Sequence, residues 1–154
     1  QMRALALLLS FVACSAFAQY PAPAQVLDEA GKLSPGGKQS LLSMLQAEEK
    51  ATGNQVVVVI LKDLRGMVIE DYANRLYGAW GIGKRGKNNG ALLLVAMKEK
   101  KLRIEVGYGL ESKLTDAKSK RIISSISPAL GKGDFDSGLR SGAAQIISII
   151  NGKG

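Results

Sequence analysis

The residues with the most legible chemistry in this chain are Asn88, Asn89, Glu111 and Asp116. Two carboxylates supply charge and two carboxamides supply neutral oxygens. That inventory suits one hard divalent cation, Ca²⁺ ahead of Mg²⁺, with water completing the shell. Lys84, Arg85 and Lys87 precede the asparagines and offer positive charge to a ligand or partner. Tyr108, between Gly107 and Gly109, is the aromatic placed to touch one, on backbone that glycine leaves free to expose it. A second acidic group, Asp28, Asp63 and Asp71, follows apolar runs and belongs to another edge of the fold.

A hairpin brings the first set together. Ala91–Met97 and Leu102–Val106 are short apolar runs without helical spacing, separated by the charged tract Lys98–Lys101 and bounded by Gly-rich sequence. Antiparallel pairing sets the start of the first strand beside the end of the second. Asn88 and Asn89 are therefore expected near Gly107–Glu111, with Thr115 and Asp116 close by. The alternative roles are structural: Asp116 capping a helix, the asparagines shaping a turn and Glu111 solvated.

Upstream, Ser34 and Pro35 read as N-cap and first residue of a helix carrying Leu41, Leu42 and Leu45 on one face, stopped at Gly53. Val56–Leu61 is an unbroken apolar run, as in a strand covered on both faces. Ile69, Tyr72, Ala73, Leu76 and Trp80 have helical spacing over residues 68–80, which makes Tyr72, Tyr77 and Trp80 core rather than a ligand platform. Strand, helix, strand implies parallel neighbours, with Asp28, Asp63 and Asp71 near the C-terminal strand ends where open α/β sheets take ligands. Asp71 equally suits the first turn of its helix. Thr115 and Asp116 open a helix over residues 117–127 that Pro128 is expected to stop. Residues 131–137 read as a loop, with Asp134 and Asp136 initiating a last helix buried through Leu139, Ala143, Ile146, Ile147 and Ile150. The fold class is α/β: a three-layer α/β/α sandwich, a mixed sheet of about four strands with helices on both faces.

Composition limits the chemistry. The chain has 154 residues, one Cys and no His. Met2-Arg3, the apolar run Ala4–Phe17 and Ala16-Phe17-Ala18 have the three parts of a signal peptide over residues 1–18. The expected product is periplasmic or secreted. Phe11-Val12-Ala13-Cys14-Ser15 is a loose lipobox and makes a lipoprotein the runner-up. Cleavage removes Cys14, and with it any Cys nucleophile; with no His there is no imidazole base or Cys/His zinc site either. Residues 19–25, with Pro21 and Pro23, form an extended leader, and residues 26–151 form the domain. The net charge of +8 falls to +7 with Arg3 gone. Scattered bases without an aromatic platform argue against nucleic acid and leave an anionic lipid surface as a candidate contact. Gly81-Ile82-Gly83 follows a helix, and Gly107-Tyr108-Gly109 does not open one at once, so neither is a dinucleotide motif.

Several pieces together resemble the TPM-domain family. They are Val26-Leu27-Asp28, Gly31-Lys32-Leu33-Ser34, Thr52-Gly53-Asn54-Gln55-Val56, Ile69-Glu70-Asp71-Tyr72-Ala73 and Trp80-Gly81-Ile82-Gly83. They continue through Asn89-Gly90-Ala91-Leu92-Leu93, Ile104–Glu111, Leu114-Thr115-Asp116 and Gly133–Gly138. The resemblance implies an exported or lumenal α/β/α domain. It also implies varied roles: a thylakoid-lumen relative is associated with photosystem II repair and acid phosphatase activity, an animal relative is an accessory subunit of an acetylcholine receptor, and several bacterial members bind Ca²⁺. Where the family commonly has Asp-Asn-Gly this chain has Asn88-Asn89-Gly90, one ligand charge fewer, which lowers the expected cation affinity. The leading expectation is a monomeric, cation-tuned accessory module for an envelope or membrane partner. The alternative is a metal-assisted phosphomonoesterase, weak at most, since no nucleophile–base pair or second metal cluster stands out. No zinc or nucleotide cofactor is expected.

Overall fold

A computed structural model describes residues 20–153; the signal-peptide and lipobox readings lie outside them. Four strands, β1 (Val26–Asp28), β2 (Gln55–Leu61), β3 (Gly90–Ala96) and β4 (Lys101–Val106), form one sheet in the order β1-β2-β3-β4. β1, β2 and β3 are parallel, and β4 is antiparallel to β3. The helices are α1 (Pro35–Thr52), α2 (Ile69–Trp80), α3 (Asp116–Gly131) and α4 (Phe135–Ile150), with a short 3₁₀ turn at Tyr108–Leu110.

The alternation of side chains along each strand divides the core into two layers. Val56, Val58, Ile60, Leu93 and Ile104 pack with Leu41 and Leu45 of α1, Ile122 and Ile126 of α3, and Leu139 and Ile146 of α4. Val57, Val59, Leu92 and Leu94 pack on the opposite face with Ile69, Tyr72, Ala73 and Leu76 of α2. β2 and β3 are therefore covered on both faces, which is why their sequences are continuously apolar. Each Leu buried this way contributes about 2 kcal/mol of hydrophobic stabilisation. None of the helices among the described residues is long and apolar enough to cross a membrane.

The predicted helix ends at Ser34 and Gly53 are present: the Ser34 side chain accepts from the Gly37 N–H, and Gly53 is left-handed at φ 84°. Two expectations need correction. α3 does not stop at Pro128 but continues to Gly131. A proline lacks one donor, yet Lys132 N–H still bonds the carbonyls of Pro128 and Ala129, closing the last turn. α4 begins at Phe135, inside the expected loop, with Asp134 as its cap accepting from Ser137 N–H at 3.2 Å. Asp136 does not cap its own helix. Its carboxylate accepts from the backbone N–H and hydroxyl of Ser34, at 2.9 and 2.5 Å, and joins the starts of α1 and α4.

The leader is docked on α2. Trp80 Nε1 donates to the Pro21 carbonyl at 2.9 Å, and the Tyr20 ring meets Tyr72 edge-on with centroids 5.4 Å apart.

Candidate functional site

The polar end of the hairpin is built on main-chain contact. Asn88, left-handed at φ 47°, presents its carbonyl to the Gly109 N–H at 3.0 Å, and the Gly107 N–H bonds the Gly90 carbonyl at 2.8 Å. The predicted meeting of Asn88 with the Gly107–Gly109 segment is therefore real. The reason for the glycines differs from the sequence expectation. Neither has a positive φ. A methyl group on Gly107 would collide with the Asn88 carbonyl and the Tyr77 hydroxyl, and one on Gly109 with the Lys87 carbonyl. Close backbone approach, not unusual torsion, requires glycine here. Tyr108 itself stands 80% exposed.

Glu111 and Asp116 are both exposed and line one open groove of about 300 Å³ with Arg103, Leu114 and Thr115. Thr115 caps α3, its hydroxyl accepting from the Lys118 N–H, and Asp116 occupies the first turn, where the helix dipole favours a carboxylate. Arg103 is paired with Glu105 at 3.1 Å, and Glu105 also accepts from the Asn74 amide.

Asn89 does something else. Its Oδ1 accepts from the Lys84 N–H at 2.8 Å, and its Nδ2 donates to the Gly53 carbonyl and to Asn54 Oδ1, at 3.0 and 3.3 Å. The carboxamide thus pins the Lys84–Asn89 loop to the end of α1. Neither asparagine lines the groove that Glu111 and Asp116 share. The fit to a hard cation is divided: Glu111 and Asp116 suit one, while Asn89 is engaged in holding the loop. No three acidic side chains among the described residues converge as a metal cage. Lys84, Arg85 and Lys87 are exposed along this loop.

The second acidic group does not assemble. Asp28 shares the strand face of Val26 on the three-helix side, where its Oδ2 accepts from the Leu33 N–H at 2.8 Å. Its Oδ1 is buried without a partner. Asp63 forms a local turn with the Arg65 N–H and lines a cleft with Glu29, Lys62, Arg65 and Tyr72. Asp71 is exposed in the first turn of α2. Burial, followed by the nearby Glu29 carboxylate, raises the pKa of the Tyr72 hydroxyl.

Two participants were not legible as such. Tyr77, expected in the core, places its hydroxyl among Gly83, Gly90 and Gly107, buried and facing the Gly90 amide without a well-formed bond. Burial is the main cause raising its pKa. Glu48 is only 6% exposed and accepts from Thr52, Asn54 and Asn151. The helical spacing of Glu48 with Leu41 and Leu45 was the available signal.

The fold and this loop-built end define a class, the three-layer α/β/α domain with a polar hairpin edge. A profile of the TPM domain matches residues 26–149, and the chain belongs to the TPM-domain family. It is similar to the solution structure of the N-terminal domain of a protein from P. gingivalis, at 33% identity over 80% of this chain and 81% of that one, TM-score 0.72. The BA42 protein from the psychrophilic bacterium Bizionia argentinensis shares the fold at 19% identity, over 77% of this chain and 81% of that one, TM-score 0.66. So does the N-terminal domain of the cg2496 protein from Corynebacterium glutamicum, at 19% identity over 84% and 83%, TM-score 0.64. No functionally curated protein matches the chain significantly.

Proposed function

We propose that this TPM domain is an exported binding module for an envelope or membrane partner, tuned by a hard divalent cation, calcium ahead of magnesium. The observation behind the reading is the shared exposure of Glu111 and Asp116 on one groove, with the exposed Tyr108 on the same short segment as Glu111. Glu105 lines the same groove but is held by Arg103 and Asn74, which leaves Glu111 and Asp116 as a low-charge site, so affinity belongs in the weak range of extracellular calcium modules. Tyr108 supplies apolar contact area, and Lys84, Arg85 and Lys87 supply charge toward an acidic partner or anionic lipid. Thr115 serves as a helix cap, and the phosphomonoesterase alternative has no specific observation in this groove that favours it.

Thermal unfolding of the chain from Gln19, in chelator, then Ca²⁺, then Mg²⁺, tests this. Saturation at about a hundred times the dissociation constant adds roughly 2.7 kcal/mol, or about 5–10 °C. The expected calcium shift disappears in Asp116→Ala and in Glu111→Ala, the two carboxylates that share the groove. No shift at millimolar calcium overturns the cation reading. Aryl-phosphate turnover that is lost in Asp116→Ala would instead favour the enzyme.

A further inference from the structure

The sheet ends in an open edge. β4 is bonded to β3 on one side, and no strand among the described residues pairs with its other side. The hairpin sets its hydrogen-bonding phase. Gly107 N–H donates to the Gly90 carbonyl, and Val106 stands opposite Ala91. Bonded and non-bonded pairs alternate in an antiparallel ladder. Lys101, Arg103 and Glu105 therefore turn their backbone groups toward β3, and Leu102, Ile104 and Val106 turn theirs outward. The Ile104 side chain packs into the three-helix layer, with Leu102 and Val106 partly buried against it, and an edge strand left unpaired is a ready template for another strand. Cavities of about 350 and 300 Å³ are each lined by residues of this strand and of α3. Lys101, Leu102 and Leu130 line the first; Arg103, Ile104, Val106 and Asp116 line the second.

We propose that β4 of a second copy of this chain completes this edge, antiparallel, about a two-fold axis through Ile104. That axis sets Ile104 opposite Ile104, Leu102 opposite Val106 and Arg103 opposite Glu105, the last pairing occurring twice. It maps the outward-facing residues onto one another, so donors meet acceptors along both strands. Apolar side chains meet apolar ones, and each Arg103–Glu105 pair, already 3.1 Å apart within one copy, gains its opposite across the axis. The neighbouring in-phase registers, centred on Arg103 or Glu105, would set Arg103 against Arg103 or Glu105 against Glu105. The same arrangement carries Lys100 and Lys101 of the second copy past Tyr108 and Gly107, alongside the 80% exposed ring and toward the acidic end of the groove. A dimer replaces the monomer expected from sequence. It stands independently of the cation reading, because it needs no metal.

Sedimentation equilibrium in chelator tests the pairing. The wild-type mass is expected to rise from monomer to dimer with concentration, with amide exchange slowing at Leu102, Ile104 and Val106. Arg103→Glu and Glu105→Arg each place like charges across the axis and should remain monomeric, with circular dichroism confirming that each stays folded. An equimolar mixture of the two single variants pairs every Glu with an Arg and should form a heterodimer. A wild-type chain that stays monomeric to the highest attainable concentration overturns the proposal. So does a dimer that survives both substitutions, or a mixture that fails to associate.

Discussion

At Asn89, one carboxamide satisfies an amide, a carbonyl and a second carboxamide, and the Gly-rich loop is held by a side chain that sequence reasoning had assigned to a ligand. Both readings require Asn or a close relative, so residue type alone could not separate them. Tyr108 was recognisable because glycines flank it, but those glycines serve the backbone of Lys87 and Asn88 rather than a special torsion. Which atoms approach a glycine is a tertiary fact and leaves no mark in its own neighbourhood. A substitution tests the difference. Gly107→Ala keeps an allowed φ, so any cost comes from collision with the Asn88 carbonyl and Tyr77 hydroxyl. Overpacking against backbone should destabilise by roughly 1–3 kcal/mol, read from chemical unfolding. A cost near zero would mean that the hairpin end relaxes freely.

At the scale of elements, strands and helices were legible where burial repeats in the sequence. β2 and β3 announced themselves by unbroken apolar runs, and α2 by its spacing. The join between α1 and α4 was not, because Asp136 and Ser34 lie 102 residues apart and each has an adequate local explanation as a cap. Pro128 misled for a related reason: its rule concerns the missing donor, and the packing of Ile126 and Leu130 holds the last turn of α3 together regardless. The Asp136 carboxylate has a pKa below its ordinary range, chiefly through the Ser34 hydroxyl bond and then the Ser34 backbone bond. A lowered folded-state value means that its contribution is complete above the ordinary carboxylate range and is lost as pH falls through the folded value. Asp136→Asn should therefore be less stable than wild type at neutral pH, with the gap closing in acid. Unfolding midpoints measured from pH 7 downward would show this; a gap that widened in acid would contradict the assignment.

Across the whole molecule, Glu48 connects parts that the chain visits at different times. Its buried carboxylate takes Thr52 from the end of α1, Asn54 from the turn into β2 and Asn151 just past α4. Asn54 in turn accepts from Asn89, so the path runs from the last helix to the loop beside the candidate site. Without this carboxylate the Asn54 and Asn151 amides lose their bonds to it, while the Thr52 hydroxyl keeps the Glu48 main-chain carbonyl at 2.8 Å. Glu48→Ala should cost roughly 2–3 kcal/mol in global stability. The position of the loss distinguishes this network from ordinary core damage. A purely local cavity would raise amide exchange around α1 alone. If the path holds the loop, Lys84–Asn89 should also exchange faster, while the β2–β3 ladder keeps protection limited only by the lowered global stability. Leu45→Ala, in the same helix but outside the network, is the control: it should lower global stability without selectively loosening that loop. If the two variants loosen it equally, Glu48 is a core residue and the connection carries no positional information.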